Sequence, residues 1–163
     1  MNYQKLFAMQ KGLDQHIESQ HQLENEDLFD RKTLALLVEL GELANETRCF
    51  KFWSLKQPSE RKVILEEYVD GIHFILSLGL ECGFETEKDY KANIHKAESV
   101  NDQFLLIYEL ISKFRAGKSL QEYKILFQAY LHLGELLGFH SEETEQAYLD
   151  KNEVNYQRQQ EGY

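Results

Sequence analysis

The apolar residues of this chain recur three or four positions apart in six stretches, and polar segments separate the stretches. This spacing is typical of α-helices with one buried face. We therefore predict six helices, at about residues 2–20, 30–50, 59–82, 100–117, 119–138 and from 141 onward. No segment alternates between apolar and polar residues over any length, so no sheet is predicted. The expected fold is all-α, a helical bundle with short connections in one domain over residues 1–163.

Local signals mark several helix starts. Asp30 and Ser59 are residue types that cap the start of a helix, and Ser119 with Glu122 forms a capping-box pattern. Residues 85–99 are polar and weakly periodic, and no element is predicted there.

Two pairs of acidic residues lie within the predicted second and third helices. Glu39 and Glu42 are three positions apart, and so are Glu67 and Asp70, which places each pair on one helix face. The neighbouring residues are apolar almost all round, as in a buried helix, where a carboxylate must lose its water or face a positive charge. Two such helices packed face to face would direct four carboxylates at one another. Mg²⁺ bound through oxygen would stabilise that arrangement, whereas solvated surface acids are the alternative.

A ferritin-like di-iron site is a second use that such carboxylates could serve. It requires Glu-x-x-His on each of two helices, and only Asp70-Gly-Ile-His73 offers a loose version. Carboxylates without histidine suit Mg²⁺ and phosphate chemistry better, because two or more such ions bridge phosphate oxygens and stabilise the leaving group. The pattern therefore favours phosphate chemistry.

The composition excludes some partners and indicates a compartment. The chain has 163 residues and a net charge of −10, which argues against binding to nucleic acids or anionic membranes. The apolar stretch at residues 69–80 is too short to span a bilayer. Cys49 and Cys82 lie within predicted helices without a metal or redox motif, and no signal-peptide pattern precedes the first helix. We therefore expect buried, reduced cysteines and a cytoplasmic protein.

Four segments of the chain carry a distinctive combination of motifs. They are Gln10-Lys-Gly-Leu-Asp14; Glu39-Leu-Gly-Glu42-Leu-Ala-Asn45 running on to Phe52-Trp53; Glu66-Glu67-Tyr-Val-Asp70-Gly-Ile-His73-Phe74; and Tyr148-Leu-Asp-Lys151-Asn152-Glu-Val-Asn155-Tyr-Gln-Arg158-Gln159-Gln-Glu-Gly162-Tyr163. The paired acids resemble the signature of the all-α nucleoside triphosphate pyrophosphatases, the MazG-like superfamily. Together with the C-terminal series, they make the chain similar to the dimeric dUTPases over nearly its whole length.

The resemblance implies roles for the residues of these motifs. Those that would bind Mg²⁺, as two or more ions, are Glu39, Glu42, Glu67 and Asp70. Those that would bind the substrate are Gln10 and Trp53 for the uracil, His73 and Phe74 for the deoxyribose, and Lys151, Asn155, Arg158 and Tyr163 for the phosphates. Asp14 and Asn45 belong to the same expected substrate site, although trypanosomatid relatives carry Asn near the position of Asp14.

We therefore predict a metal-dependent dUTP diphosphatase that forms dUMP by water attack on the α-phosphorus, with dUDP as a further candidate substrate. Glu39 or Glu42 would be the general base, and the sequence does not decide between them. One alternative is a MazG-like nucleoside triphosphate pyrophosphatase of broader specificity, and another is a non-enzymatic helical interaction module. A homodimer is expected, because six modest helices cannot cover two helices that are apolar nearly all round, and the resemblance implies the same assembly.

Overall fold

The structure is a computed structural model that describes residues 1–162. Its helices are α1 (Tyr3–Gln20), α2 (Phe29–Thr47), α3 (Arg61–Glu81), α4 (Val100–Gly117), α5 (Leu120–Leu136) and α6 (Ser141–Gln160), with a short 3₁₀ helix at Phe84–Thr86. Within residues 1–162 there is no β-strand. The prediction of an all-α bundle of about six helices is confirmed.

Helix α3 forms the centre of the bundle. It packs against α1, α2, α5 and α6, while α4 and α5 pair with each other and α4 also reaches α2. The buried residues of α3 include nearly all of the apolar run from Val69 to Gly79. This position explains why α3 is apolar on almost every face, since a helix surrounded by others has little surface left for solvent.

Helices α3 and α5 approach closely at a pair of stacked tyrosines. The Tyr130 hydroxyl donates to the carbonyl of Tyr68 at 3.0 Å, and the Tyr68 hydroxyl donates to the carbonyl of Tyr130 at 3.3 Å. Gly71 makes room for this contact, because a Cβ atom at that position would lie 1.9 Å from Tyr130 Oη. The spacing of the two helices is therefore set immediately beside Asp70, one of the paired acids.

The bounds of α2 differ from the prediction at both ends. The helix begins at Phe29, whose N–H donates to the carboxylate of Asp27 at 3.0 Å, so Asp30 lies in the first turn and is not the cap. The helix ends at Thr47, because Arg48 adopts a left-handed conformation with φ 57°. The Arg48 guanidinium then donates to the carbonyl of Lys56 at 3.0 Å, a contact within the loop between α2 and α3.

Of the other two expected helix starts, one is wrong and one is confirmed. The capping residue of α3 is Glu60, and the hydroxyl of Ser59 instead donates to the carboxylate of Glu46. Ser119 and Glu122 form the capping box that starts α5.

The segment at residues 87–99, for which no element is predicted, runs across the bundle without regular structure. Its anchor is Tyr90, which is 2% exposed and stacks on Phe7 with ring centroids 5.4 Å apart. Gln103 of α4 holds the far end, because its side-chain oxygen accepts from the N–H of Ala97 at 3.2 Å. One aromatic side chain therefore fixes a segment that has no helical periodicity of its own.

Helix α2 is less buried than its sequence indicates. Leu34 and Val38 are 62% and 49% exposed, and Leu105 is 58% exposed on α4, which packs against α2. The expectation of buried cysteines within helices is also wrong, since Cys49 is exposed after the end of α2 and Cys82 is half-buried after α3. No helix among the described residues is both long and apolar enough to cross a membrane.

Candidate active site

Three carboxylates meet where α2 packs against α3. The two helices are antiparallel, because Lys32 near the start of α2 pairs with Glu81 at the end of α3. One oxygen each from Glu39, Glu67 and Asp70 lies within 4.8 Å of the others, and all three residues are half-buried. We call these three residues the carboxylate cluster.

Glu42, the fourth expected acid, lies at the edge of this group. It is an exposed residue one turn after Glu39, and its carboxylate is not one of the three in the cluster. Its charge is nevertheless close enough to raise the pKa values of Glu39 and Glu67. The structure thus places all four acids along one strip, with Glu42 nearest to solvent.

The cluster holds its protons more tightly than ordinary carboxylic acids do. Burial, and then the charges of Asp70, Glu42 and Glu67, raise the pKa of Glu39 to about 7. Burial also raises the pKa of Glu67 and of Asp70, although Lys151 opposes the rise at both. Unfavourable burial of like charges indicates a site that is completed by a cation.

A lysine side chain already supplies one positive charge to the cluster. The Lys151 ammonium of α6 donates to Asp70 Oδ2 at 2.6 Å, and both side chains are only 17% exposed. One ammonium cannot balance three carboxylates, and the donor set consists of oxygen atoms alone. Such a set fits a hard divalent cation such as Mg²⁺, which binds through carboxylate oxygens.

A cavity of about 280 Å³ lies between α1, α2 and α3, and its nearest lining residues on α2 and α3 are one helical turn from the cluster. Its lining residues are Asp14, Ile17, Glu18, Leu23, Leu28, Arg31, Lys32, Ala35, Phe74 and Ser77. Phe74 lies one turn beyond Asp70 on α3, and Ser77 lies about 10 Å beyond Asp70 along the helix axis. The wall is mostly apolar with a few polar groups, which is typical of a site for a small organic ligand.

A hydrogen-bond network fixes Asp14 at the edge of this cavity. Gln10 Nε2 donates to Asp14 Oδ1 at 2.7 Å, and the hydroxyl of Ser77 donates to Asp14 Oδ2 at 2.5 Å. The side-chain oxygen of Gln10 accepts from His73 Nδ1 and from the hydroxyl of Tyr148, each at 2.8 Å. Gln10 itself is 4% exposed and does not line the cavity. Its contact with the site therefore runs through Asp14.

His73 is a buried neutral side chain in this network. Burial lowers its pKa to about 3, its ring stacks on Tyr148 with centroids 4.1 Å apart, and Nδ1 carries the proton given to Gln10. Its Nε2 is buried without a hydrogen-bond partner among residues 1–162. His73 lies on the same helix as Phe74, but only Phe74 lines the cavity.

The structure does not bring Trp53 or Asn45 to the cavity. Trp53 lies in the loop after α2, 63% exposed, with its ring against Phe50 and Phe52. Asn45 is exposed near the end of α2 and accepts a hydrogen bond from Lys51. The end of α2 lies about 18 Å along the helix axis from Ala35, which lines the cavity. These two residues lie on the opposite side of the carboxylate cluster.

The expected phosphate-binding residues lie along α6. Lys151 contacts Asp70, and the charge of Arg158, an exposed residue two turns further on, also opposes the rise in the pKa of Asp70 that burial causes. Both residues line a groove of about 680 Å³ between α6 and the start of α3. Asn155 is half-buried on the same helix, and Tyr163 lies outside the described residues.

Two residues beside the cavity were not assigned a role from the sequence. Ser77 shares a helix face with Asp70 and Phe74, and that spacing is a signal that could have identified it. Lys32 has no such signal, because a lysine in the first turns of a helix normally extends into solvent. In the structure its side chain is only 12% exposed and pairs with Asp14, Glu18 and Glu81.

Comparison with known proteins identifies the chain. The sequence profile of a family described as dUTPase matches residues 2–163. No curated protein matches the chain in a sequence comparison. The match is consistent with the MazG-like superfamily, confirms the enzymatic interpretation over the non-enzymatic one, and carries a general requirement for a divalent metal. The chain therefore belongs to the dimeric all-α dUTPase family and is a nucleotide diphosphatase that hydrolyses dUTP.

Proposed function

We propose that this chain is a Mg²⁺-dependent dUTP diphosphatase that converts dUTP, and also dUDP, to dUMP. One observation carries the proposal: three carboxylates with oxygens within 4.8 Å of one another lie beside a cavity of about 280 Å³. The three carboxylates are suited to a divalent cation, and the cavity has a size suited to a nucleoside rather than to a whole nucleoside triphosphate. The profile match over residues 2–163 supports a single domain for this activity.

The metal site is formed by Glu39, Glu67 and Asp70, with Glu42 as a further ligand on the solvent side. Four carboxylates along one strip support two or more ions. When bound, Mg²⁺ neutralises phosphate oxygens and acts as a Lewis acid toward the phosphoryl group.

The proton of the attacking water goes to Glu39 in this proposal. Glu39 is the carboxylate of the cluster that α2 contributes, whereas Asp70 is held by Lys151. Attack on the α-phosphorus breaks the bond to the bridging oxygen, and pyrophosphate leaves when dUTP is the substrate. Glu42 remains the alternative base, one turn further along the same helix.

Residues of α6 hold the phosphates. Lys151 neutralises Asp70 in the metal-free protein, and a metal ion that takes over this role would release the ammonium to bind phosphate. Arg158 lines the same groove and adds a second cation. Asn155 and Tyr163 are proposed to complete the phosphate site. A protein of net charge −10 needs such local cations to hold a polyanionic substrate.

The nucleoside occupies the cavity between α1, α2 and α3. Phe74, one turn from Asp70, lies where the deoxyribose follows the α-phosphate. The base then extends toward Asp14, which Gln10 and Ser77 hold in place. His73 supports this arrangement by donating to Gln10, which in turn donates to Asp14.

A homodimer is proposed for the assembly. Leu34 and Val38 of α2 and Leu105 of α4 are exposed apolar side chains on neighbouring helices. A second copy packed on this face by a twofold axis would cover them. Sedimentation of a monomer at micromolar concentration would contradict the dimer.

A nucleotide panel tests the function. dUTP, dUDP, dCTP, dTTP and UTP are incubated with the protein in Mg²⁺ or in EDTA, and the products are separated. We expect dUMP and pyrophosphate from dUTP in Mg²⁺ only. Equal turnover of all five nucleotides would indicate a pyrophosphatase of broader specificity. Undiminished turnover in EDTA would contradict the proposed metal site.

A further inference from the structure

The cavity beside the carboxylate cluster carries an oppositely charged pair on its wall. Lys32 Nζ lies 3.4 Å from Asp14 Oδ2, and both side chains are 12% exposed. Lys32 comes from α2 and Asp14 from α1, so the pair bridges the two helices at the end of the cavity away from the cluster. Ser77, whose hydroxyl donates to Asp14, lies seven positions after Asp70 on α3, which is about 10 Å along the helix axis. This distance of about 10 Å is similar to the distance from the α-phosphate of a nucleotide to the far edge of its base.

Asp14 retains capacity for one more hydrogen bond, whereas Lys32 can redirect one of its three N–H donors. An ionised carboxylate accepts at about four lone-pair positions. Asp14 uses three, for Gln10 on Oδ1 and for Ser77 and Lys32 on Oδ2. One position on Oδ1 is therefore left for a donor from the cavity.

The contacts of Lys32 are unequal in length. Its ammonium lies 2.5 Å from Glu81 and 3.1 Å from Glu18, but 3.4 Å from Asp14. The longest contact is the weakest, so the third N–H can turn to a carbonyl oxygen in the cavity. Burial works to lower the pKa of Lys32, but Asp14, Glu81 and Glu18 raise it above its ordinary value, so the donor stays protonated.

The cavity wall is balanced in charge. Lys32 and Arg31 are its cations, and Asp14 and Glu18 are its acids. A phosphate would need a surplus of cations, whereas a neutral ring needs apolar walls and a few directed polar groups. The cavity is therefore suited to the base and not to the phosphate end of the substrate.

We propose that Asp14 and Lys32 read the base: Asp14 accepts the N3–H of uracil, and Lys32 donates to its O4. This inference rests on the proposed function. Cytosine presents the reverse pattern, with a lone pair at N3 toward Asp14 and an amino group at C4 toward Lys32, so the pair rejects it. Thymine shares the edge of uracil, and this pair does not discriminate against it. Lys32 is thus a specificity residue for pyrimidines that carry N3–H beside a C4 carbonyl.

The test is the ratio of kcat/KM for dUTP to kcat/KM for dCTP in Mg²⁺. We expect Lys32→Met to lower this ratio on the order of 10- to 100-fold. The substitution removes a charged donor to the O4 of uracil, and it also removes the unfavourable contact between two donors, the Lys32 ammonium and the C4 amino group of cytosine. Asp14→Asn should lower the ratio as well, since an amide can donate to the cytosine N3. Lys11→Met is the matched control, because Lys11 is an exposed α1 lysine paired with Glu85 and lies outside the cavity.

Thermal unfolding of each variant identifies a purely structural effect. If Lys32→Met does not fold, Asp14→Asn, which keeps the shape of the side chain, decides the question. The inference would be overturned if the folded variants kept a dUTP-to-dCTP ratio of kcat/KM within twofold of wild type. In that case kcat/KM for dUTP and for dCTP would be unchanged or would fall in parallel. Equal hydrolysis of dUTP and dCTP by the wild type would overturn it too, while leaving the metal-dependent reaction intact. Absence of any dUTP hydrolysis by the wild type would instead overturn the proposed function.

Discussion

Glu39→Gln should make the metal-free protein more stable at high pH, although it removes a residue of the active site. The folded-state pKa of Glu39 is raised from 4.5 to about 7, chiefly by burial. A carboxyl group with a raised pKa does not weaken the fold below pH 4.5, where it is protonated in both states. Above that pH the unfolded chain loses the proton first, so the free energy of unfolding falls until about pH 7 and then levels off.

The magnitude follows from the size of the pKa change. A difference of about 2.5 pH units corresponds to about 3 kcal/mol at 1.36 kcal/mol per unit. Glu39 is half-exposed, so solvent screening reduces this to about 1.5 kcal/mol. We therefore expect Glu39→Gln to raise the free energy of unfolding by about 1.5 kcal/mol at pH 8, and by less than about 0.5 kcal/mol at pH 5.

Urea unfolding in EDTA, followed by circular dichroism at the two pH values, measures this difference. Glu109→Gln is the control, because Glu109 is an exposed residue of α4. Added Mg²⁺ should stabilise the wild type at pH 8 and stabilise Glu39→Gln much less, since an ion that binds only the folded state raises its stability. A variant that gains nothing at pH 8, or gains as much at pH 5, would refute the raised pKa assigned to Glu39 in the cluster.

Four further predictions address the site and the fold. Asp70→Asn and Glu42→Gln should fold normally and lose nearly all dUTP hydrolysis in a pyrophosphate-release assay; near-wild-type rates in either would contradict the metal site. Lys151→Gln should leave Mg²⁺ affinity equal or higher in titration calorimetry while turnover falls, because the ammonium competes with the ion for Asp70; weaker Mg²⁺ binding would argue against that competition. Arg158→Ala should raise KM for dUTP and lower kcat together, with metal affinity in the free enzyme unchanged; unaltered steady-state kinetics would remove Arg158 from the phosphate site. Gly71→Ala should destabilise the protein by about 1–3 kcal/mol in urea unfolding, because its Cβ would lie 1.9 Å from Tyr130 Oη; an unchanged midpoint would show that the tyrosine pair moves freely.

The helices and the carboxylate pairs could be predicted from the sequence because both depend on local periodicity. The three-residue spacing of Glu67 and Asp70 places them on one face of any helix, and the apolar run around them places that helix in the core. The burial of Tyr90 could not be predicted from local periodicity. This residue is buried in a segment without periodicity, held by rings that come from distant parts of the chain.

The cavity could not be predicted in the same way, because the few polar groups on its wall come from three different helices. From the sequence, Lys32 is expected to be an exposed lysine. In the structure it is largely buried, because it pairs with acidic residues of α1 and α3, namely Asp14, Glu18 and Glu81. Gln10 was expected to contact uracil directly, yet the fold buries it behind Asp14. The direct uracil contacts of Gln10 and Trp53 stay predictions.

Hydrolysis of dUTP in ¹⁸O-labelled water, with Mg²⁺ or with EDTA, tests the central claim most directly. The claim is that the strip formed by Glu39, Glu42, Glu67 and Asp70 holds the metal that promotes water attack on the α-phosphorus. Mass spectrometry of the products should find the label in dUMP and not in pyrophosphate, with Mg²⁺ present and only then. Label in the pyrophosphate, or the same labelled dUMP formed in EDTA, would contradict the account.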